Sequence, residues 1–153
     1  MEEPNATASA IINFAEKLEE SSLSFYEKLA EKSVENKEVF LSFAEESKRN
    51  RVLVTRTYQE TITDALEACF SFKGLNLSNY IAKTNLTEDM SFPEALRIAI
   101  ELEDKSSKFY SDVAEMSKSL LATIPMALRK VAERRSSRKL ILKSLLEKAI
   151  AQR

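Results

Sequence analysis

Apolar side chains recur at spacings of three, four and seven along four stretches of the chain, the pattern of helices with one buried face. In the first stretch, residues 6–32, one stripe carries Ile11, Ala15, Leu18, Ser22, Phe25 and Leu29. A short break at 33–36 follows, with Asn36 placed to cap the next helix. The second stripe holds Phe40, Phe43, Ala44, Ser47, Val54, Tyr58 and Ile62, on a helix expected to end between Cys69 and Gly74. Ser91, Pro93 and Glu94 then give the sharpest start signal in the chain: a cap, a proline in the first turn and the carboxylate of a capping box. The third helix carries Ala95, Ile98, Ala99, Leu102, Ser106, Phe109 and Val113. The fourth opens near Pro125, with Leu128, Val131, Ala132, Leu142, Leu145, Leu146 and Ala149 on its inner face.

The connection at 73–90 is too long to join neighbouring antiparallel helices, which need roughly two to eight residues. It has room for a short helix around 79–83. One glycine and three prolines in 153 residues cannot serve the turns of a sandwich, a barrel or an α/β fold. The expected architecture is therefore all-α: one domain over 1–153, an antiparallel four-helix bundle of two hairpins, 6–72 and 91–151, joined by the long crossover.

An internal repeat supports this division. Residues 14–31 align without gaps on 98–115, pairing Ala15 with Ala99, Leu18 with Leu102, Glu19 with Glu103, Ser22 with Ser106, Phe25 with Phe109 and Tyr26 with Tyr110. The second helices follow in step, as Phe40/Leu128, Phe43/Val131, Ala44/Ala132 and Glu45/Glu133. Amphipathic helices match by chance at aliphatic positions, but hardly at both Glu-x6-Tyr cores; a duplicated helical hairpin is the reading.

The fourth stripe contains an anomaly. It should continue through positions 135 and 138, yet Arg135 and Arg138 stand there. With Glu-x6-Tyr on the first helix of each pair and Phe-x2-[Leu/Phe]-Ala-x2-Glu-x2-His as the pattern of the second, the sequence resembles the rubrerythrin branch of the ferritin-like superfamily. The likeness covers most of the chain outside the crossover. It implies a ferritin-like bundle in which Glu from helices one and three and a Glu-x2-His from each of helices two and four hold two irons. No rubredoxin-like cysteine module accompanies it.

Carried over position by position, Glu19 and Glu103 keep the first-helix ligands, and Tyr26 and Tyr110 the tyrosines after them. Ser47 stands where Glu belongs and Asn50 where His belongs; in the second copy these places are taken by Arg135 and Arg138. A one-residue shift would bring in Glu46, but it lies about 100° off the Phe40–Ser47 face and is expected to point to solvent. Two carboxylates facing two guanidinium groups cannot neutralise two metal ions. The expectation is instead a buried network in which Arg135 pairs with both Glu19 and Glu103 bidentately, with Ser47 and Asn50 taking up remaining donors. Arg138 has two readings: inward beside Arg135, or snorkelling outward over apolar surface.

Composition narrows the chemistry further. Histidine is absent, which removes the usual imidazole ligand and proton shuttle. Cys69 is the lone cysteine, a small apolar filler, with no partner for a disulfide or a zinc cluster. No glycine-rich phosphate loop or nucleophile motif is present. The net charge of −1 separates along the chain: residues 1–46 hold eleven acids against four lysines, and 119–153 hold nine bases against two acids. The basic runs at 48–51 and 134–139 read as solvated faces with one buried turn, so nucleic acid is not expected. No membrane-spanning run and no leader pattern occur, giving a cytoplasmic expectation under which the sequons at Asn5, Asn76 and Asn85 carry no glycan.

Three functions remain. One is a bundle that has lost its di-iron site and acts in a structural, binding or regulatory role, without cofactor and, by the resemblance, as a homodimer. The second is an iron- or manganese-dependent peroxidase or oxidase of the rubrerythrin type. The third is a binder of a small anion at Arg135 and Arg138.

Overall fold

Thr7 opens the first helix by accepting a hydrogen bond from the Ala10 amide at 3.1 Å, so α1 runs Ala8–Lys32, starting two residues later than the periodicity suggests. This computed structural model describes residues 6–61, 71–72, 74–117 and 123–152. The second helix, α2, spans Lys37–Thr61. The carbonyl of Asn36 accepts from the Phe40 amide as expected of the residue before a helix, but its side chain turns back to Ser33 Oγ instead of capping. The expected end of this helix between Cys69 and Gly74 lies largely outside the described residues, as do Ile62 and Cys69.

At the third helix, α3 (Phe92–Met116), the capping box forms in full: Ser91 Oγ accepts from the Glu94 amide, and Glu94 accepts from the Ser91 amide, each at 3.2 Å. The fourth, α4, spans Thr123–Ala151, with Pro125 in its first turn. Among the described residues, regular structure is helical apart from a ladder of two residues on each side. There β1 (Ala6–Thr7) pairs antiparallel with β2 (Ser71–Phe72), which the apolar pattern did not suggest. Gly74 follows with a φ of +77°, a conformation that suits glycine and few other residues. The short helix of the crossover is a 3₁₀ turn at Leu77–Tyr80, two residues earlier than expected, because Asn76 accepts from the Ser78 amide and starts it there.

α1 packs mainly on α2 and α3 mainly on α4; α2 meets α4 more closely than α1 meets α3. Two apolar clusters form the core. The first joins the start of α1, Val54 near the end of α2, the end of α3 and the start of α4. The second joins the opposite ends, from Phe25 and Leu29 through Phe40 and Phe43 to Leu96, Leu102 and Leu142. Leu145, Leu146 and Ala149 of the expected α4 stripe sit half-buried at the edge of this second cluster. Between the clusters the inner faces turn polar. Glu19, Ser22, Ser47, Asn50, Glu103, Ser106, Arg135 and Arg138 are all buried there.

Candidate functional site

Each of the four long helices contributes to this polar layer. Position follows from helical spacing: Glu19, Ser22 and Tyr26 are one turn apart on α1, and Glu103, Ser106 and Tyr110 repeat the arrangement on α3. From α2 come Ser47 and Asn50, and from α4 Arg135 and Arg138, again one turn apart. The eight sites that sequence reasoning singled out are thus brought into one place, and none of them is more than 1% exposed.

Arg135 lies at the centre. Its Nη1 donates to Glu103 Oε1 at 2.7 Å, and its Nη2 donates to Glu19 Oε2 and to Ser22 Oγ, the latter at 2.8 Å. One planar fork therefore spans the carboxylates of both repeat copies. Burial alone would lower the Arg135 pKa, but the charges of Glu103 and Glu19 outweigh that effect and raise it, so the guanidinium is held firmly ionised.

Arg138 points inward. Its Nη1 reaches Ser47 Oγ at 2.9 Å and Glu103 Oε1 at 3.4 Å, while its guanidinium sits 5.7 Å from the Tyr26 ring centre and 5.5 Å from that of Phe43. Its Nε donates to Glu46 Oε1 at 2.8 Å. This corrects the sequence expectation for Glu46. The residue is off the inner face, with a quarter of its side chain exposed, yet the long arginine reaches outward to meet it. Asn50 donates to Glu19 Oε1 at 2.9 Å and accepts from Arg134 Nη1 at 2.8 Å. Arg134 is a half-buried participant that the stripe analysis missed, and its place directly before Arg135 was the available signal.

The two tyrosines differ in their bonding. The Tyr26 hydroxyl donates to Glu103 Oε1 at 2.6 Å. Burial, reinforced by the Glu103 charge, lifts its pKa well above the usual phenol value. Burial also lifts Tyr110, reinforced by the Glu19 charge, although its hydroxyl makes no well-formed hydrogen bond. A difference between the repeat copies emerges. On α1, Ser22 also donates to the Leu18 carbonyl, so Glu19, Ser22 and Tyr26 are all engaged. On α3, Glu103 Oε2, Ser106 Oγ and the Tyr110 hydroxyl have no partner among the described residues, and neither do Arg135 Nε and Arg138 Nη2.

These residues do not fit a di-iron centre. The family pattern calls for four carboxylates and two imidazoles, whereas the donors here are two buried carboxylates already shared by guanidinium groups. A guanidinium is always protonated and offers no lone pair to a metal. Among the described residues no group of three or more His, Cys, Asp or Glu is placed to hold a metal ion. No described helix is long and apolar enough to cross a membrane. Compared with known proteins, the chain matches no family model, no curated protein and no solved structure.

Proposed function

We propose that this protein is a single-domain, ferritin-like bundle of two antiparallel hairpins, in which an arginine–glutamate network stands where the rubrerythrin pattern has two irons. Its role on this reading is structural, binding or regulatory, and it is not an oxidoreductase. The observation that carries the reading is the Arg135 fork, whose two terminal nitrogens bond Glu103 and Glu19. That fork supplies the positive charge that the two surviving carboxylates need. The order of contacts supports an antiparallel first hairpin: Ser9 meets Tyr58, Glu16 meets Thr55 and Glu19 meets Asn50, one number rising as the other falls.

The same fork weighs against a small anion between the arginines. Both Arg135 terminal nitrogens are committed to carboxylates, and the free Oε2 of Glu103 would repel an incoming anion. A homodimer belongs to this proposal, as the rubrerythrin resemblance implies. A cytoplasmic location is part of it too, in keeping with a lone cysteine.

Metal content tests the reading. Protein supplied with iron or manganese during expression, purified and analysed for elements, should hold well under one metal ion per chain. Stoichiometric metal that is lost on Glu19→Ala and Glu103→Ala substitution would overturn it.

A further inference from the structure

Beyond the polar layer, the seam between α1 and α3 holds a second feature. These two helices approach each other at few positions, and the crossover covers the seam in place of a helix. Beneath it is a half-open cleft of about 290 Å³. Phe14 and Leu18 of α1 form one wall, Leu102 of α3 the other, and Tyr80, Ile81 and Ala82 the roof. Leu18 and Leu102 are repeat counterparts, each next to a network carboxylate, so the Arg135 fork fixes the spacing of the two walls.

The roof is tied down on several sides. Lys105 Nζ donates to the Ile81 carbonyl at 2.9 Å, and Lys32 Nζ to the Thr87 carbonyl at 2.8 Å. The Tyr80 hydroxyl bonds Asp112 at 2.7 Å, while its ring packs against Phe109 with centroids 5.5 Å apart. The cleft is thus a preformed feature of the folded chain and not a gap between loose segments.

Its mouth has one sign of charge. Lys17 lines it, together with the hydroxyls of Ser21 and Thr84. The carboxylates beside Lys17 on α1 are turned to α2, where Glu16 accepts from Thr55 and Glu20 pairs with Arg51. Glu101, which holds the repeat position of Lys17 on α3, pairs with Lys105 at 3.3 Å. Lys17 itself has no ion-pair partner among the described residues. An apolar cleft with a single uncommitted ammonium at its opening is complementary to an amphiphilic anion.

We infer that this cleft binds a short aliphatic monocarboxylate, its chain between Leu18, Leu102 and the roof and its carboxylate at Lys17. The volume lies at the lower edge of ligand pockets, roughly 300–1,000 Å³. With a water-sized group taking about 30 Å³, it admits roughly eight to ten carbon-sized groups.

Isothermal titration of the full chain with octanoate, octanol and octylammonium tests the inference. One octanoate should bind per chain, octanol more weakly, and octylammonium not measurably. Lys17→Gln should weaken octanoate about two- to fivefold, the range of an exposed ion pair, while leaving octanol unchanged. Ala82→Phe, which fills the cleft from the roof, should abolish binding of both. Circular dichroism confirms that each variant keeps its helices. Failure of octanoate to bind at millimolar concentration would overturn the inference. So would binding indifferent to Ala82→Phe, or equal binding of octylammonium. The outcome is independent of metal content, so this test and that of the metal-free network fail or succeed separately.

Discussion

Arg135 Nη1 donates to Glu103 Oε1 at 2.7 Å, and neither side chain has any exposed surface. Removing two such charges from water costs several kcal/mol each, and their attraction in a poorly solvated interior returns a similar amount. The pair therefore adds little net stability compared with apolar residues of similar volume. Splitting it is a different matter, because an uncompensated charge is then left inside.

Arg135→Ala should accordingly destabilise the protein by about 3–5 kcal/mol in urea unfolding, since Glu19 and Glu103 lose their shared partner. The triple variant Glu19→Gln, Glu103→Gln, Arg135→Met should lose clearly less than the single change, because no charge remains unpaired. If Arg135→Ala leaves the unfolding midpoint unchanged, the network is not formed in solution.

Glu46 separates the sequence expectation from the observed geometry. A solvent-pointing Glu46 could be replaced by Ala at no cost. As the acceptor of Arg138 Nε at 2.8 Å, it should cost about 1–2 kcal/mol, the low end for a bond to a charged group because a quarter of the side chain is wet. The same unfolding assay reads the difference.

Alkaline pH provides a third handle. Burial first, and then carboxylate neighbours, raises the pKa of Tyr26 and Tyr110. Tyr80 is raised by burial and by its bond to Asp112. In the unfolded chain these phenols ionise near pH 10, at about their reference value. The folded state holds their protons longer, so the stability they contribute is fully present below pH ~10 and is lost as the pH climbs beyond it. Ultraviolet titration should show these three phenols ionising only together with unfolding. Their ionisation near pH ~10 in protein that keeps its helical signal would contradict the buried placement.

The ferritin-like reading can be tested by reversal. Ser47→Glu, Asn50→His, Arg135→Glu and Arg138→His in one chain would rebuild the ligand pattern on the same backbone positions. That variant should take up about two metal ions per chain and melt higher with metal than without it. A folded variant that binds no metal would count against the bundle being of that kind.

Much of this arrangement was legible in residue spacing. The stripes of α1 and α3 are buried as expected through Ile11, Ala15, Phe25 and Leu29, and through Ala95, Ala99, Leu102 and Phe109. The repeat placed Glu19 beside Glu103, and the interrupted α4 stripe placed Arg135 inward. Periodicity failed where reach matters more than direction. Glu46 leaves the inner face by one residue step, but a long arginine stem covers that distance, and no face-based count registers it. Periodicity was silent on the β1–β2 ladder, whose strands are two residues each and far apart in sequence. It was silent again on the cleft, which depends on how the crossover lies across two helices and not on any pattern within one.

Finally, the Arg135 fork bears on the autonomy of the duplicated halves. Glu19 belongs to the first hairpin, while Glu103, Arg135 and Arg138 belong to the second. The first hairpin on its own would carry an interior anion with only Asn50 to solvate it, and the second would carry an excess of interior cations. Neither copy can dispense with the other, and neither could be replaced by a second version of itself. The two halves, alike in residue pattern, divide the interior charge unequally, and a single guanidinium joins them.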